Sequence, residues 1–436
     1  MSYASVPFFH NNVGWPAGHQ YPAFPPLRGD TTADWVIVGA GFAGVAFARR
    51  LSEINPALKI ILLDAWPSHE SSSARNSGFV IGLPHNIGSS TAELKKANAY
   101  RNLLESGIAQ LEHLIIDKGI ECDWEHAGKY HCQVEPDNDR VLNEYMRQLD
   151  VMDETYHTLT GDALYRALGT SFYSKAIYTP SCVLVNPARL IDGLRHNLPE
   201  NVQCYENTPV VGIRYGNTAQ VLTPGGIIRA QQVMLATNSL SPELQPGLKR
   251  QASMATFASI TEPLTDAQLE TLPQMDSWGL TPVNAIAGAT FRFTSDNRFL
   301  IRQHVIPALK GRVDAAQTFR AADLHRALFN KVYPLLRDVK LENTWSGTIS
   351  VTRNGAPVWG RLNKFVSTAG GCNGAGVSKQ TIAGTLLADY LTKQDNPLLA
   401  DMLSLGRGNL MPPSPALDIG IGASLLKERF MGRKEV

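Results

Sequence analysis

From Asp34 the chain carries an uninterrupted apolar run, Trp35-Val36-Ile37-Val38, then small residues through Gly44. Apolar positions at helical spacing follow (Val45, Phe47, Ala48, Leu51), then a second apolar run, Ile60-Ile61-Leu62-Leu63. Short continuous apolar runs suit strands buried on both faces, and a spacing of three and four suits a helix laid on them. The stretch therefore predicts a β-α-β unit. The same order returns near the end, with a strand at Phe365-Val366-Ser367-Thr368, a glycine-rich loop at 370–376 and an apolar-faced helix from Val377 to Leu391.

Between these repeats lies a long amphipathic helix over 91–118, stopped by Gly119. A hairpin turning at Ala127-Gly128, a helix over 138–157 and strand character over 176–186 follow. Pro187 sits where a helix over Ala188–Leu198 would start. Strands are expected over 202–211 and at Gln232–Thr237, with a hairpin at Gly225-Gly226. Residues 252–310 are β-rich; Phe291, Phe293, Phe299 and Ile301 alternate about a turn at Asp296-Asn297 and suit the wall of a substrate chamber. A helix is expected over 314–337. Residues 1–33 are too rich in proline for regular helix and too aromatic for a free tail, so an extended arm packed on the body is expected. From Gly406 the chain is proline-rich and then weakly amphipathic and basic, which predicts a solvated terminal helix.

The chemistry lies at the turns of the two repeats. Gly39, Gly41 and Gly44 have the spacing G-x-G-x-x-G. Gly39 permits the tight turn, Gly41 lets a pyrophosphate approach the backbone, and Gly44 lets helix and strand pack closely. The helix N-terminus, with Phe42 and Ala43, offers free N–H groups and a positive dipole end. Asp64, 20 residues after Gly44, stands where a carboxylate accepts hydrogen bonds from a ribose diol. The polar loop over 68–85 follows directly; its serines and backbone suit a pyrophosphate, and Arg75 or Asn76 a cofactor ring. A second helix N-terminus behind Gly370–Gly376 would stabilise negative charge on the same cofactor.

Composition removes other classes. The chain has 436 residues, 44% hydrophobic and 18% charged, with 40 basic against 39 acidic residues. This is ordinary for one large or two intermixed domains, and a near-neutral charge disfavours a nucleic-acid partner. No apolar run reaches the ~20 residues needed to span a bilayer, and no secretory leader is read at the N-terminus. Five scattered cysteines make no disulfide framework, so a cytoplasmic, reducing location is expected. Cys122, His126, His131 and Cys132 lack zinc-knuckle spacing, and no metal is expected.

These motifs together resemble the FAD-dependent amine and amino-acid oxidoreductases of the D-amino-acid oxidase and glycine oxidase superfamily. The likeness runs from about Leu27 to Leu391: VIVGAGFAGVAFA with Asp64, the SSARNSG loop, the strand around Val210-Val211, LATNSLSP, and WSG…RNGAPVWG…GGCNGAGVSKQTIAGTLLA. The arm and the ARNSG loop are most similar to the γ-glutamylputrescine oxidase branch.

The resemblance implies an α/β fold: a Rossmann-like FAD-binding domain interleaved with a β-rich α+β substrate domain. It divides the chain into an arm (1–33), FAD-binding segments (34–110, 182–240 and 340–395), substrate segments (111–181 and 241–339) and a tail (396–436). Non-covalent FAD is implied. Its expected contacts are Gly39, Gly41, Phe42, Ala43 and Gly44; Asp64 and Ala65; Ser73, Ala74, Arg75, Asn76 and Ser77; Val210 and Val211; Ala236 and Thr237; and Gly371, Cys372, Asn373, Gly374, Ala375, Gly376 and Val377.

The implied reaction is oxidation of a C–N bond of an amine or amino-acid derivative to an imine by hydride transfer to flavin N5. That step needs the C–H held about 3–3.5 Å away but no obligatory protein base. Oxygen would reoxidise the flavin and yield peroxide; a dehydrogenase with a quinone or protein acceptor, and a non-catalytic flavin-binding module, stand as alternatives. His85, Asn76, Phe291, Trp345 and Asn373 are expected to line the reacting space, His85 with a pKa suited to deprotonating an ammonium. Two departures matter. Ile349 stands where glycine and D-amino-acid oxidases carry a carboxylate-clamping arginine, which favours an amine or a larger substrate, with Arg292, Arg302 or Arg353 as substitutes. The branch's G-H-G is Gly374-Ala375-Gly376 here.

Overall fold

The computed structural model of the chain describes residues 8–16, 21–84, 91–135, 139–245, 248–308, 311–413 and 415–435. Among these residues, two eight-stranded sheets dominate. The centre of the first is parallel, in the order Val366–Gly370, Gly226–Leu235, Thr31–Val38, Ile60–Leu63, Val202–Tyr205. Alternation divides its side chains between two cores. Ile37, Ile60, Leu62 and Met234 face the helices, while Val36, Val38, Ile61, Leu63 and Val233 face Val221 and Ile228 of an antiparallel meander. Burial on both faces is why these strands read as continuous apolar runs.

The helices Phe42–Ile54 and Gly376–Thr392 follow their strands and lie against each other. They pack at backbone distance: a β-carbon on Gly384 would stand 2.2 Å from the Ala43 carbonyl oxygen. The helix Thr91–Lys118 crosses the second of them equally closely, with Gly107 against Ser378.

The second sheet runs Leu341–Val351, Ala252–Thr261, Phe299–Pro307, Thr290–Phe293, Trp278–Pro282, Lys129–Gln133, Lys175–Thr179, His157–Thr160. Only Trp278–Pro282 with Lys129–Gln133 is parallel. One face packs Phe291, Phe293 and Phe299 with Phe329 and Tyr333. The helix Ala315–Val332 covers that side and starts at an Asp314–Gln317 capping box.

Three local expectations change. The hairpin at Ala127-Gly128 does not form: Lys129–Gln133 pairs with strands far away in sequence, and before it only Glu125 bridges to Leu184. The strand Leu341–Val351 joins the second sheet, although it leads into the closing glycine loop of the first. The terminal helix Ala416–Met431 is not merely solvated. It buries Leu425 against Met254 and Val305, and Arg429 Nη2 donates to the Val305 carbonyl at 2.7 Å. Apolar residues on both of its sides weaken the periodic signal, which hid this contact.

The arm is stitched to the body. Phe8–Phe9 pairs with Arg312–Val313, Phe9 and Trp15 are buried, and the Trp15 indole donates to the Asn76 carbonyl at 2.8 Å.

Candidate active site

The two sheets face each other across one cavity of about 1990 Å³. Single ligand pockets usually span about 300–1,000 Å³, so this space suits a dinucleotide and a substrate chamber together. Gly39, Gly41, Phe42 and Ala43 line one part, and Cys372, Asn373, Gly374, Ala375, Gly376 and Val377 another. The helices starting at Phe42 and Gly376 therefore both open onto it, and neither N-cap residue supplies a side-chain hydrogen bond. Their first N–H groups are left for a ligand.

The glycines fit an extended phosphate-bearing ligand for geometric reasons. Gly39 has φ +102°, and a β-carbon there would lie 2.7 Å from the Ala236 oxygen. One on Gly41 would lie 2.5 Å from Ser73 Oγ, and one on Gly44 2.0 Å from the Gly39 oxygen.

Asp64 Oδ2 accepts from the Ala40 N–H at 3.0 Å and from Arg195 Nη2 at 2.7 Å, while Oδ1 accepts from the Trp66 N–H at 3.0 Å. Arg195 is fully buried; Nη1 reaches Glu206 at 2.8 Å and Nε the Ala40 carbonyl at 2.7 Å. Burial opposes its charge, but Asp64 and Glu206 outweigh this and hold its pKa above the ordinary value. The helix carrying it, Pro187–His196, starts because Asn186 Oδ1 accepts from the Ala188 and Arg189 N–H groups and Pro187 fills the first position.

The loop behind Asp64 is held from outside the cavity. Arg75 Nη1 donates to the Asn11 and Ser346 carbonyls at 2.9 and 3.1 Å, its Nη2 pairs with Glu70, and its guanidinium lies 4.3 Å from the Phe9 ring centre. Burial lowers its pKa to about 10 against the pull of Glu70. The guanidinium thus ties arm to strand. The Asn76 amide donates to the Ser73 carbonyl and accepts from the Gly78 N–H, which shapes the loop. Ser73, Arg75, Asn76 and Ser77 line the cavity, as do Ala65, Val210, Ala236 and Thr237.

Other expected residues lie off the cavity wall. Ala74 is fully buried in the core, Gly44 sits beneath its turn, and Val211 and Gly371 fall outside the lining. Cys372 is a buried free thiol whose sulfur accepts from Asn238 Nδ2 at 3.2 Å.

Two of the expected catalytic residues are core residues. Phe291 is fully buried on the far face of its sheet, because alternation gives the cavity face to its neighbour Thr290. Trp345 is covered by Gly14 and Trp15 of the arm, and its indole donates to the Arg75 carbonyl at 3.2 Å. His85 lies outside the described residues. Arg292 is engaged elsewhere: Nη1 donates to the Gly78 and Val185 carbonyls at 3.2 and 2.6 Å, and Trp15 covers the group. Among the described residues no cluster suited to a metal occurs.

The sequence reading missed several polar groups of the wall. His131 Nδ1 is hydrogen-bonded to Thr281 Oγ1 at 3.0 Å; burial, with Lys129 nearby, lowers its pKa to about 3, so it stays neutral. Lys379, one turn into the helix behind the glycine loop, is lowered to about 8 by burial and lies 5.0 Å from the Tyr100 ring centre. A charged residue on the buried face of an apolar helix was the available signal. Leu417, Ile421 and Leu425 close the cavity from the terminal helix.

The family model described as "FAD dependent oxidoreductase" matches residues 34–390. The chain is 24% identical to "Gamma-glutamylputrescine oxidoreductase" of Escherichia coli, covering 86% of this chain and 87% of that one. It is also 24% identical to "Probable oxidoreductase OrdL" of Haemophilus influenzae, with 86% of each covered. Among solved structures it is similar to glycine oxidase from Geobacillus kaustophilus, with TM-score 0.69, 19% identity and 84% and 96% covered. It is also similar to L-amino acid deaminase from Proteus vulgaris, with TM-score 0.67, 15% identity and 90% and 100% covered. The chain belongs to the family of FAD-dependent oxidoreductases, takes FAD as its cofactor and has the fold of amine- and amino-acid-oxidising enzymes.

Proposed function

We propose that this enzyme oxidises a C–N bond of an amine or amino-acid derivative to an imine in the cytoplasm, with non-covalent FAD as hydride acceptor and O2 as final oxidant. The observation that carries the reading is the pair of uncapped helix N-termini, at Phe42 and Gly376, opening on one cavity whose opposite wall is the second sheet. The γ-glutamylputrescine oxidoreductase and glycine oxidase likenesses supply the C–N class.

FAD, when bound, supplies the two-electron acceptor. The parallel-sheet half of the chain holds it, with Asp64 for the ribose, the Gly39–Gly44 turn for the pyrophosphate and the Gly376 helix end for the ring. The second sheet and the terminal helix enclose the substrate and exclude water. His131, with a pKa near 3, is a hydrogen-bonding wall group and too weak a base to hold an ammonium proton. Lys379, near 8, keeps a neutral fraction at neutral pH and is the better proton acceptor.

The test is turnover in air of the FAD-loaded enzyme with polyamines, γ-glutamylated amines, N-methyl amino acids and D-amino acids, scored for peroxide and for reduction of a quinone dye. Peroxide stoichiometric with amine consumed is expected. Dye reduction without peroxide makes the enzyme a dehydrogenase, and neither signal with any amine contradicts the catalytic reading.

A further inference from the structure

The terminal helix Ala416–Met431 is apolar on two sides, and the fold covers one of them. Its inner side lines the chamber with Leu417, Ile421 and Leu425. Its outer side carries Ile419, Ala423, Leu426 and Phe430, spaced four, three and four residues apart, so they stand in one stripe. Ile419, Leu426 and Phe430 are 68%, 67% and 65% exposed, and Met431, next along the chain, is 67% exposed. A helix that is apolar all round is ordinarily buried all round. A contiguous exposed stripe, unlike single exposed apolar residues, marks a surface that meets something.

The charges of this terminal segment sort by side as well. Glu428 turns inward, where its carboxylate accepts from Asn284 Nδ2 at 3.3 Å. Arg429 donates to the Val305 carbonyl, Glu435 is buried and Asp418 is half-buried. The exposed charges are Lys427, Arg433 and Lys434, all basic. The Arg433 guanidinium lies 4.3 Å from the Phe430 ring centre, so a cation is held at the edge of the stripe. Lys434 pairs with Glu135 at 2.6 Å. The chain as a whole is nearly neutral, with 40 basic against 39 acidic residues, so the sign bias is local. An apolar stripe rimmed by lysine and arginine matches the boundary between acyl chains and anionic headgroups.

We propose that this outer face docks on an anionic lipid surface, attaching the enzyme peripherally to a membrane by its terminal helix. A second copy of the chain is the poorer occupant. The helix has 16 residues, which makes it about 24 Å long and about 10–12 Å wide. One side of it falls well short of the about 800 Å² per partner that a stable dimer buries. A symmetric pair would also set basic rim against basic rim. Docking needs no spanning helix, and among the described residues none is long and apolar enough to cross a membrane. The inner side of the same helix closes the chamber, so attachment sets that wall of the chamber beside the lipid surface. The inference goes beyond the amine-oxidising reading and stands whichever amine is oxidised.

The experiment floats the FAD-loaded full chain with vesicles of phosphatidylcholine alone and of phosphatidylcholine mixed with phosphatidylglycerol. FAD content and melting temperature check the folding of each variant. Binding to the anionic vesicles is expected, with weaker binding to the neutral ones. The double variant Leu426→Ser, Phe430→Ser should weaken it at least about tenfold, and Lys427→Gln, Arg433→Gln about tenfold. All four side chains are exposed, so both variants should fold. Ile116→Ser, at an apolar residue 75% exposed on the helix Thr91–Lys118, should leave binding unchanged. No binding to the anionic vesicles overturns the proposal, as does equal binding by the Leu426→Ser, Phe430→Ser variant. An equal loss in Ile116→Ser marks general adhesion and overturns it as well. A chain that dimerises in solution, loses the dimer in Leu426→Ser, Phe430→Ser and ignores vesicles gives the face to a second copy and overturns it too.

Discussion

The Arg195 guanidinium donates to the Asp64 carboxylate at 2.7 Å from 131 residues further along the chain. The carboxylate proposed for the ribose is thus held by an arginine on another helix, which also holds Glu206. Arg195→Met would leave two buried carboxylates facing each other. Removing one partner of a buried pair costs about 3–5 kcal/mol. The variant should melt well below the unchanged protein and bind FAD more weakly, by thermal unfolding and fluorescence titration. Asp64→Asn should lose FAD affinity with the smaller loss of stability.

Gly384 opposes two effects in one residue. Alanine raises helix propensity by about 1 kcal/mol, but the new β-carbon would lie 2.2 Å from a backbone oxygen of the opposing helix. Overpacking of that kind costs about 1–3 kcal/mol. Gly384→Ala should lower the urea midpoint and loosen FAD. Gly422→Ala, where a β-carbon meets nothing within 4 Å, should be neutral or mildly stabilising. Equal behaviour of the two variants would contradict the close helix contact.

Three histidines, His325 buried and His131 and His304 half-buried, give the stability a direction with pH. Burial lowers His304 and His325 from 6.5 to about 4 and His131 to about 3. Between those values and 6.5 the unfolded chain binds protons that the folded chain refuses, so stability is intact above 6.5 and falls as pH drops towards 4. Each group contributes up to about 1.4 kcal/mol per pH unit. Urea midpoints should fall between about pH 7.5 and about pH 5. His325→Gln, which removes one of two partners of Ser259 Oγ, should lower the slope by about one proton; an unchanged slope counts against this assignment.

Trp15 joins the arm to the loop that lines the cavity, through its hydrogen bond to Asn76 and its contact with Trp345. Trp15→Ala should cost about 3–5 kcal/mol and speed FAD release, measured by dilution into a flavin trap. Flavin release at the unchanged rate would make the arm a covering only.

What was legible in the sequence was local. Gly39, Gly41, Gly44 and Asp64 lie within one β-α-β unit, and the loop 370–376 repeats its logic, so spacing alone carries the site. Arg195 acquires meaning only through partners brought from elsewhere in the chain, and no pattern near it announces it. Phe291 was misplaced by a period of two: alternation shows that two faces exist but not which one meets the chamber. Trp345 lies under the arm, and the arm's path cannot be read from proline and aromatic content. The terminal helix carries apolar residues on both sides, Ile421 and Leu425 inward and Ile419, Leu426 and Phe430 exposed, so its role in closing the cavity left no clear stripe.

The most direct test of the central claim is anaerobic mixing of the FAD-loaded protein with the amine and amino-acid panel, watching the visible flavin band. Bleaching by at least one amine, with FAD recovered intact in the supernatant after acid precipitation, is the predicted result. A protein that cannot be loaded with FAD, or whose bound FAD no amine bleaches, would contradict the account.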